Sequence, residues 1–168
     1  MAILTTDLKF YLSGGAAQAD PNAALGGAKS SVAIVDDTLN NLFDDVTGAE
    51  HAVGDTNYRC IFVKNDSAES ASSVKVYLES NTTAVDDSVQ IGKDLSIPSD
   101  TADTIADEDT APDPAVTFTT ADGYANALAV GTLTAGQSAA IWIKRIVVAG
   151  STAQAANEFV LKVSVDSL

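Results

Sequence analysis

Val74-Lys75-Val76-Tyr77-Leu78-Glu79 alternates apolar and polar side chains throughout. That period of two is what a strand shows when one face meets a core and the other meets water. The pattern recurs in Phe159-Val160-Leu161-Lys162-Val163-Ser164-Val165, where Phe159, Leu161, Val163 and Val165 oppose Lys162 and Ser164. It recurs again in Asp7-Leu8-Lys9-Phe10-Tyr11-Leu12, with Leu8, Phe10 and Leu12 directed inward. Two stretches, 58–64 (YRCIFVK) and 139–148 (AAIWIKRIVV), are apolar on both faces for part of their length, which predicts central strands. Shorter candidates lie at 31–35, 88–91 and 115–119.

Helices are harder to find. The chain holds 28 Ala, a strong helix former, but only five Glu and seven Lys to clothe exposed helix faces. Many alanines sit among Gly, Asn, Asp and Thr, as in SGGAAQADPNAALGGA at 13–28, which reads as loop. Residues 39–46, through Leu39, Leu42, Phe43 and Val46, fit one or two helical turns or an irregular connection equally well. Several short strands without intervening helices predict an all-β chain. The expected fold is an antiparallel β-sandwich, Ig-like or jelly-roll-like, with about eight strands and long loops. The phrase Tyr58-Arg59-Cys60-Ile61-Phe62-Val63-Lys64-Asn65, and the turn Leu133-Thr134-Ala135-Gly136-Gln137 before a later strand, resemble the general sentence of bacterial Ig-like modules.

At 168 residues the chain is one domain, with at most an appendage. Residues 1–29 read as an N-terminal strand and a stretch able to serve as an extended arm, and 30–168 as the sandwich. The segment 100–113 carries Asp100, Asp103, Asp107, Glu108, Asp109 and Asp113 without a base, framed by Pro98, Pro112 and Pro114. It reads as an exposed acidic loop.

Nine basic residues against 23 acidic ones give a formal charge of −14. Nucleic acid and anionic membrane surfaces are therefore not expected as partners, since both require Lys and Arg to meet phosphate. The longest apolar runs are too short to span a bilayer, and MAILTTDLKF lacks the basic flank and apolar stretch of a signal peptide. Cys60 alone excludes an internal disulfide framework.

The search for chemistry finds little assembled. His51 is the sole histidine, set in the small-residue stretch 48–54, and no G-x-S-x-G elbow accompanies it. Alternation places Cys60 beside Tyr58 and Phe62 as a small buried hydrophobe. One His and one Cys cannot furnish a zinc set. Asp36-Asp37, Asp44-Asp45, Asp86-Asp87 and the 100–113 run offer oxygens for calcium, but no D-x-[DN]-x-[DN]-G loop occurs. Gly26-Gly27-Ala28-Lys29-Ser30-Ser31 departs from a phosphate loop at Ala28 and Ala23 and reads as a flexible turn. Trp142 is either a core indole or an interface anchor. The N-x-[ST] triplets at Asn65 and Asn81 read as chance. No catalytic, cofactor-binding or metal residue is assigned, and a non-enzymatic structural or binding module is expected.

With the strands laid out, DLKFYLSGG (7–15), NNLFDDVTGAEHAVGDTNYRCIFVKN (40–65) and LTAGQSAAIWIKR (133–145) together resemble small virion proteins of tailed bacteriophages, most closely capsid decoration (cement) proteins. The resemblance covers most of the chain from 7 to 165. It implies a protein made in the bacterial host cytoplasm that binds the outer capsid surface, with the major capsid protein lattice as partner. It also implies self-association, as a homotrimer first and a dimer second. It carries no catalytic residues. A tail, baseplate or fibre-associated component is the alternative within the virion. A receptor- or carbohydrate-binding β-sandwich module is the alternative outside it.

Overall fold

The alternation found in the sequence lays one apolar side chain after another between two antiparallel sheets. The computed structural model describes residues 3–82, 87–95, 97–150 and 157–165. Its elements are β1 (Leu8–Ser13), β2 (Gly26–Ala33), α1 (Gly48–Val53), β3 (Asp55–Asn65), β4 (Ala71–Ser80), β5 (Ser88–Lys93), β6 (Thr101–Thr104), β7 (Leu128–Leu133), β8 (Ser138–Val147) and β9 (Val160–Ser164). Six strands form one sheet in the order β5-β8-β3-β1-β2-β6, and three form the other in the order β7-β4-β9. The fold is the all-β antiparallel sandwich that the periodicity predicts.

The central pair is β3 against β8, in register without interruption from Asp55↔Val147 to Lys64↔Ser138. Their inward residues Ile61, Val63, Ala139, Ile141 and Ile143 meet Val74, Val76 and Leu78 of β4 in the inter-sheet core. Their outward residues Tyr58, Cys60, Phe62, Ala140 and Trp142 form a second apolar cluster on the opposite face of the larger sheet. Burying a side chain the size of Phe62 contributes about 2–3 kcal/mol. A strand apolar on both faces therefore needs cover on both. Ile105 and Val116 supply that cover, with Leu25, Ala102 and Phe118 at its margin.

In the segment 100–113, Asp100, Asp103, Asp107, Asp109 and Asp113 are exposed as expected, but the segment is not all loop. The segment begins as edge strand β6, and its Ile105 is buried against the outer face of the sheet. Polar residues at both ends obscured it, because a four-residue strand of Thr, Ala and Asp shows no apolar period. The stretch 13–29 is likewise not all loop. From Gly26 it is β2, paired with β1 on one side and β6 on the other. Gly26 has φ +92°, and a Cβ there would fall 1.8 Å from the Asp103 carbonyl oxygen. Only glycine permits that approach. The 26–31 stretch is thus a strand segment rather than a flexible turn, and the boundary between 29 and 30 runs through β2. Leu8 and Leu12 of β1 belong to the inter-sheet core.

Other segments shift by a few residues. The strand expected at 31–35 occupies Gly26–Ala33, while 115–119 is irregular and its backbone pairs with the sheet through a bridge of Thr119 to Ile91. Strand β7 was not predicted, since LAVGTL has small residues and a glycine in place of clear alternation. Residues 39–46 are irregular, and the one α-helix among the described residues follows at Gly48–Val53. A reciprocal capping box starts it there: Glu50 N–H donates to the Thr47 hydroxyl, and the Thr47 N–H donates to the Glu50 carboxylate. Among the described residues no helix is long and apolar enough to cross a membrane.

Candidate functional site

Arg59 and Arg145 are the chain's only arginines, and strand register turns both toward the interior. Arg59 lies two residues before Ile61 on β3, and Arg145 two after Ile143 on β8, so each shares a face with the core. A guanidinium there must find partners, because an uncompensated buried charge costs several kcal/mol. Arg145 donates through Nε and Nη2 to Asn57 Oδ1, at 3.1 and 2.7 Å, and through Nη1 to the Asp44 carbonyl at 2.6 Å. Burial pushes its pKa down, while the charges of Asp44, Glu50 and Glu108 push it back up. Arg59 is 1% exposed; it donates to the Tyr58 carbonyl at 3.1 Å and to Asn22 Oδ1 at 3.0 Å, and it is ion-paired with Glu108.

Phe43 lies beside both cations. The guanidinium carbons of Arg59 and Arg145 stand 5.3 and 4.8 Å from its ring centroid, and Phe159 meets its edge at 6.2 Å. Asn57 completes the cluster by donating to Asp55 and Asp109 at 3.0 and 3.2 Å. The arrangement ties the 42–45 connection, the Asn22 turn and the acidic segment to one end of the sandwich. Its carboxylates and guanidiniums face one another, which makes it a clamp. Sequence reasoning placed 58–64 and 139–148 correctly but missed the clamp. The available signal was a basic residue on the core face of an apolar strand.

A second knot lies at the other end of β3. Asn65 N–H donates to the Gln137 carbonyl at 3.0 Å, and the Asn65 carbonyl accepts from Gly136 at 2.9 Å. Its Nδ2 donates to the Glu69 and Leu133 carbonyls at 2.7 and 2.9 Å. Thr134 N–H donates to Gln137 Oε1, closing the turn. Two distant stretches of the sequence, 40–65 and 133–145, therefore meet at this knot. Beside it is a shallow hollow of about 290 Å³, lined by Pro98, Ser99, Asp100, Gly136, Gln137 and Ser138 among others. Asp100 is the one ionisable side chain of that lining, and it accepts from the Ser138 hydroxyl.

The remaining sequence candidates are dispersed. His51 sits in α1, not in a loop, and its carbonyl accepts from Gly150 at 2.8 Å. Cys60 is fully buried in the outer-face cluster, and burial raises its thiol pKa far above the ordinary range. Trp142 is also fully buried and donates to Asp94 Oδ2 at 3.0 Å, which excludes it as an interface anchor. Asp107 accepts from Thr110, Glu108 pairs with Arg59, Asp109 accepts from Asn57, and Asp113 accepts from the Ala115 N–H. Asp36 and Asp37 are exposed, as are Asp44 and Asp45. Asp87 accepts from the Val148 N–H and from Asn157, and Asp86 lies outside the described residues. Among the described residues no three His, Cys, Asp or Glu side chains converge as a metal site would require. The side chains of Asn65 and Asn81 are engaged in hydrogen bonds to backbone carbonyls. No protein-family model matches the chain, and neither does any curated protein or solved structure.

Proposed function

We propose that the chain is a non-enzymatic virion protein that decorates and stabilises the outer surface of a phage capsid, with the major capsid protein lattice as its partner. One observation supports this best: the body is braced against deformation on both sides of its larger sheet. One cluster fills the sandwich and a second seals the outer face, while the arginine clamp and the Asn65 knot fasten the connections at both ends. A clip across capsomer junctions needs that stiffness, because its binding free energy adds to shell stability only if it does not yield first. The charge of −14 suits an outer surface, away from packaged DNA and soluble at high copy number. The phrases at 7–15, 40–65 and 133–145 supply the link to phage virions.

Cosedimentation of the purified protein with expanded and unexpanded empty capsids of the encoding phage tests the reading. Binding to the expanded shell, with hundreds of copies per purified virion by quantitative gel, is the expected result. A handful of copies per virion would move the protein to the tail, baseplate or fibres, and absence from virions would sink the proposal.

A further inference from the structure

A two-sheet sandwich has four edge strands, each a row of backbone groups able to pair with another chain. In this molecule the edges are treated differently. On β5, Asn81 closes Val89 from both sides: its Nδ2 donates to the Val89 carbonyl at 3.1 Å and its Oδ1 accepts from the Val89 N–H at 2.9 Å. The next outward pair, at Ile91, is closed by Thr119, with both backbone bonds at 2.9 Å. On β6, the Asp103 N–H is directed at the Asp94 carboxylate at 3.4 Å, and the Asp103 side chain adds a charge. Strand β9 carries Lys162 at its middle, ion-paired with Glu79.

Among the described residues, strand β7 is closed by a side chain at its Leu133 end alone, where Asn65 Nδ2 donates to that carbonyl, and it carries no charge of its own. It bonds β4 along one side, and among the described residues no backbone bond is made from its other side. The sequence from Gly123 to Ile143 contains no charged residue, although 19% of the chain is charged. The exposed side chains of β7 are Ala129, Gly131 and Thr132, all small enough for another backbone to approach.

We infer that β7 is the docking edge for a second copy of this chain, the two β7 strands pairing antiparallel about a two-fold axis. The three-stranded sheets then run together as one six-stranded sheet. Two bodies of charge −14 repel, and contact along an uncharged edge meets the least of that repulsion. A strand paired antiparallel with its own copy is self-complementary, since every bond made by one protomer is returned by the other. A foreign strand would need pockets or charges to be recognised, and the small residues here offer neither. The edge is only six residues long, so the pairing is weak, below the size of a stable interface of about 1,200 Å². The inference rests on the self-association in the reading above but needs no capsid, and it favours two-fold over three-fold contact.

Sedimentation of the purified full chain, from low micromolar to millimolar concentration, tests it directly. A monomer–dimer equilibrium is expected, weakened at least tenfold in the A129K/T132K double variant while its unfolding midpoint stays near that of the wild type. Because Cys60 is buried, an introduced thiol is the accessible one. A short bis-maleimide should therefore join Ala129→Cys or Thr132→Cys protomers and leave Lys162→Cys protomers single. A chain that remains monomeric throughout, a dimer indifferent to the double substitution, or cross-linking at position 162 instead would each overturn the inference. So would a monomer that loses capsid binding in the double variant, since β7 would then receive a strand of another protein. A dimer that fails to bind capsids would defeat only the capsid reading.

Discussion

Tyr11 and Asp66 show how a single polar contact is built and how it responds to pH. The Tyr11 hydroxyl donates to Asp66 Oδ2 at 2.6 Å, and Lys64 and Lys9 approach the same carboxylate. Burial, the bond to Asp66 and the charge of Asp66 raise the Tyr11 pKa to about 12. Burial alone would raise the Asp66 pKa, but the bonds from Lys64 and Tyr11 and the nearby lysine charges outweigh it and hold the value below 3.8. The signs follow from linkage. A lowered carboxylate stabilises the fold above its unfolded pKa, and that contribution is lost as pH falls through the folded value. A raised phenol stabilises it below pH 10.0, and that contribution fades as pH rises toward about 12. We predict that Asp66→Asn costs about 1–2 kcal/mol at neutral pH. The difference from wild type should close in acid below the ordinary carboxylate pKa, as read by urea unfolding across pH. A constant difference at every pH would show that the charge is irrelevant. The sequence placed Tyr11 on the outer face of its strand by alternation. It could not show that a residue 55 positions later would meet it.

At the scale of elements, the acidic segment couples the parts of the molecule. Its charges suggested a solvated loop, and for Asp107 that reading survives, since its partner is the local hydroxyl of Thr110. Glu108 differs, because it faces a guanidinium that is 1% exposed. Arg59→Leu is expected to lower stability by about 3 kcal/mol, because it leaves Glu108 half-buried without its ion pair. Glu108→Gln should cost less, and Asp107→Asn almost nothing, all by denaturant midpoint. Equal, small effects at Arg59 and Asp107 would mean that the clamp bears no load. The period-two patterns of β1, β4 and β9, and the runs of β3 and β8 that are apolar on both faces, were legible because packing enforces them. Strand β6 was hidden because its pairing is made by backbone alone, and α1 because a capping box, rather than an apolar stripe, defines it. Arg59 and Arg145 were visible as residues, but their partners came from segments the chain order keeps far apart.

Taken whole, the molecule has three apolar contributors in layers: the small sheet, the large sheet and the cover formed around Ile105 and Val116. Trp142, the only tryptophan, lies beneath that cover, whereas far-ultraviolet circular dichroism reports the sheets. If the cover is integral to the fold, tryptophan emission and dichroism should change together in a single unfolding transition. Ile105→Asp should separate them, with emission shifting to the red first. An early fluorescence change in the wild type would show that the cover opens independently. Composition alone gave the acidic character, but not that both arginines are withdrawn inside, which leaves lysines as the basic groups of the surface.

The burial of Cys60 has one more effect. The chain holds no internal cystine to lose in a reducing cell interior, and its one thiol is withheld from an oxidising exterior. The redox state of the surroundings therefore sets no internal crosslink in this fold on either side of that chemical divide.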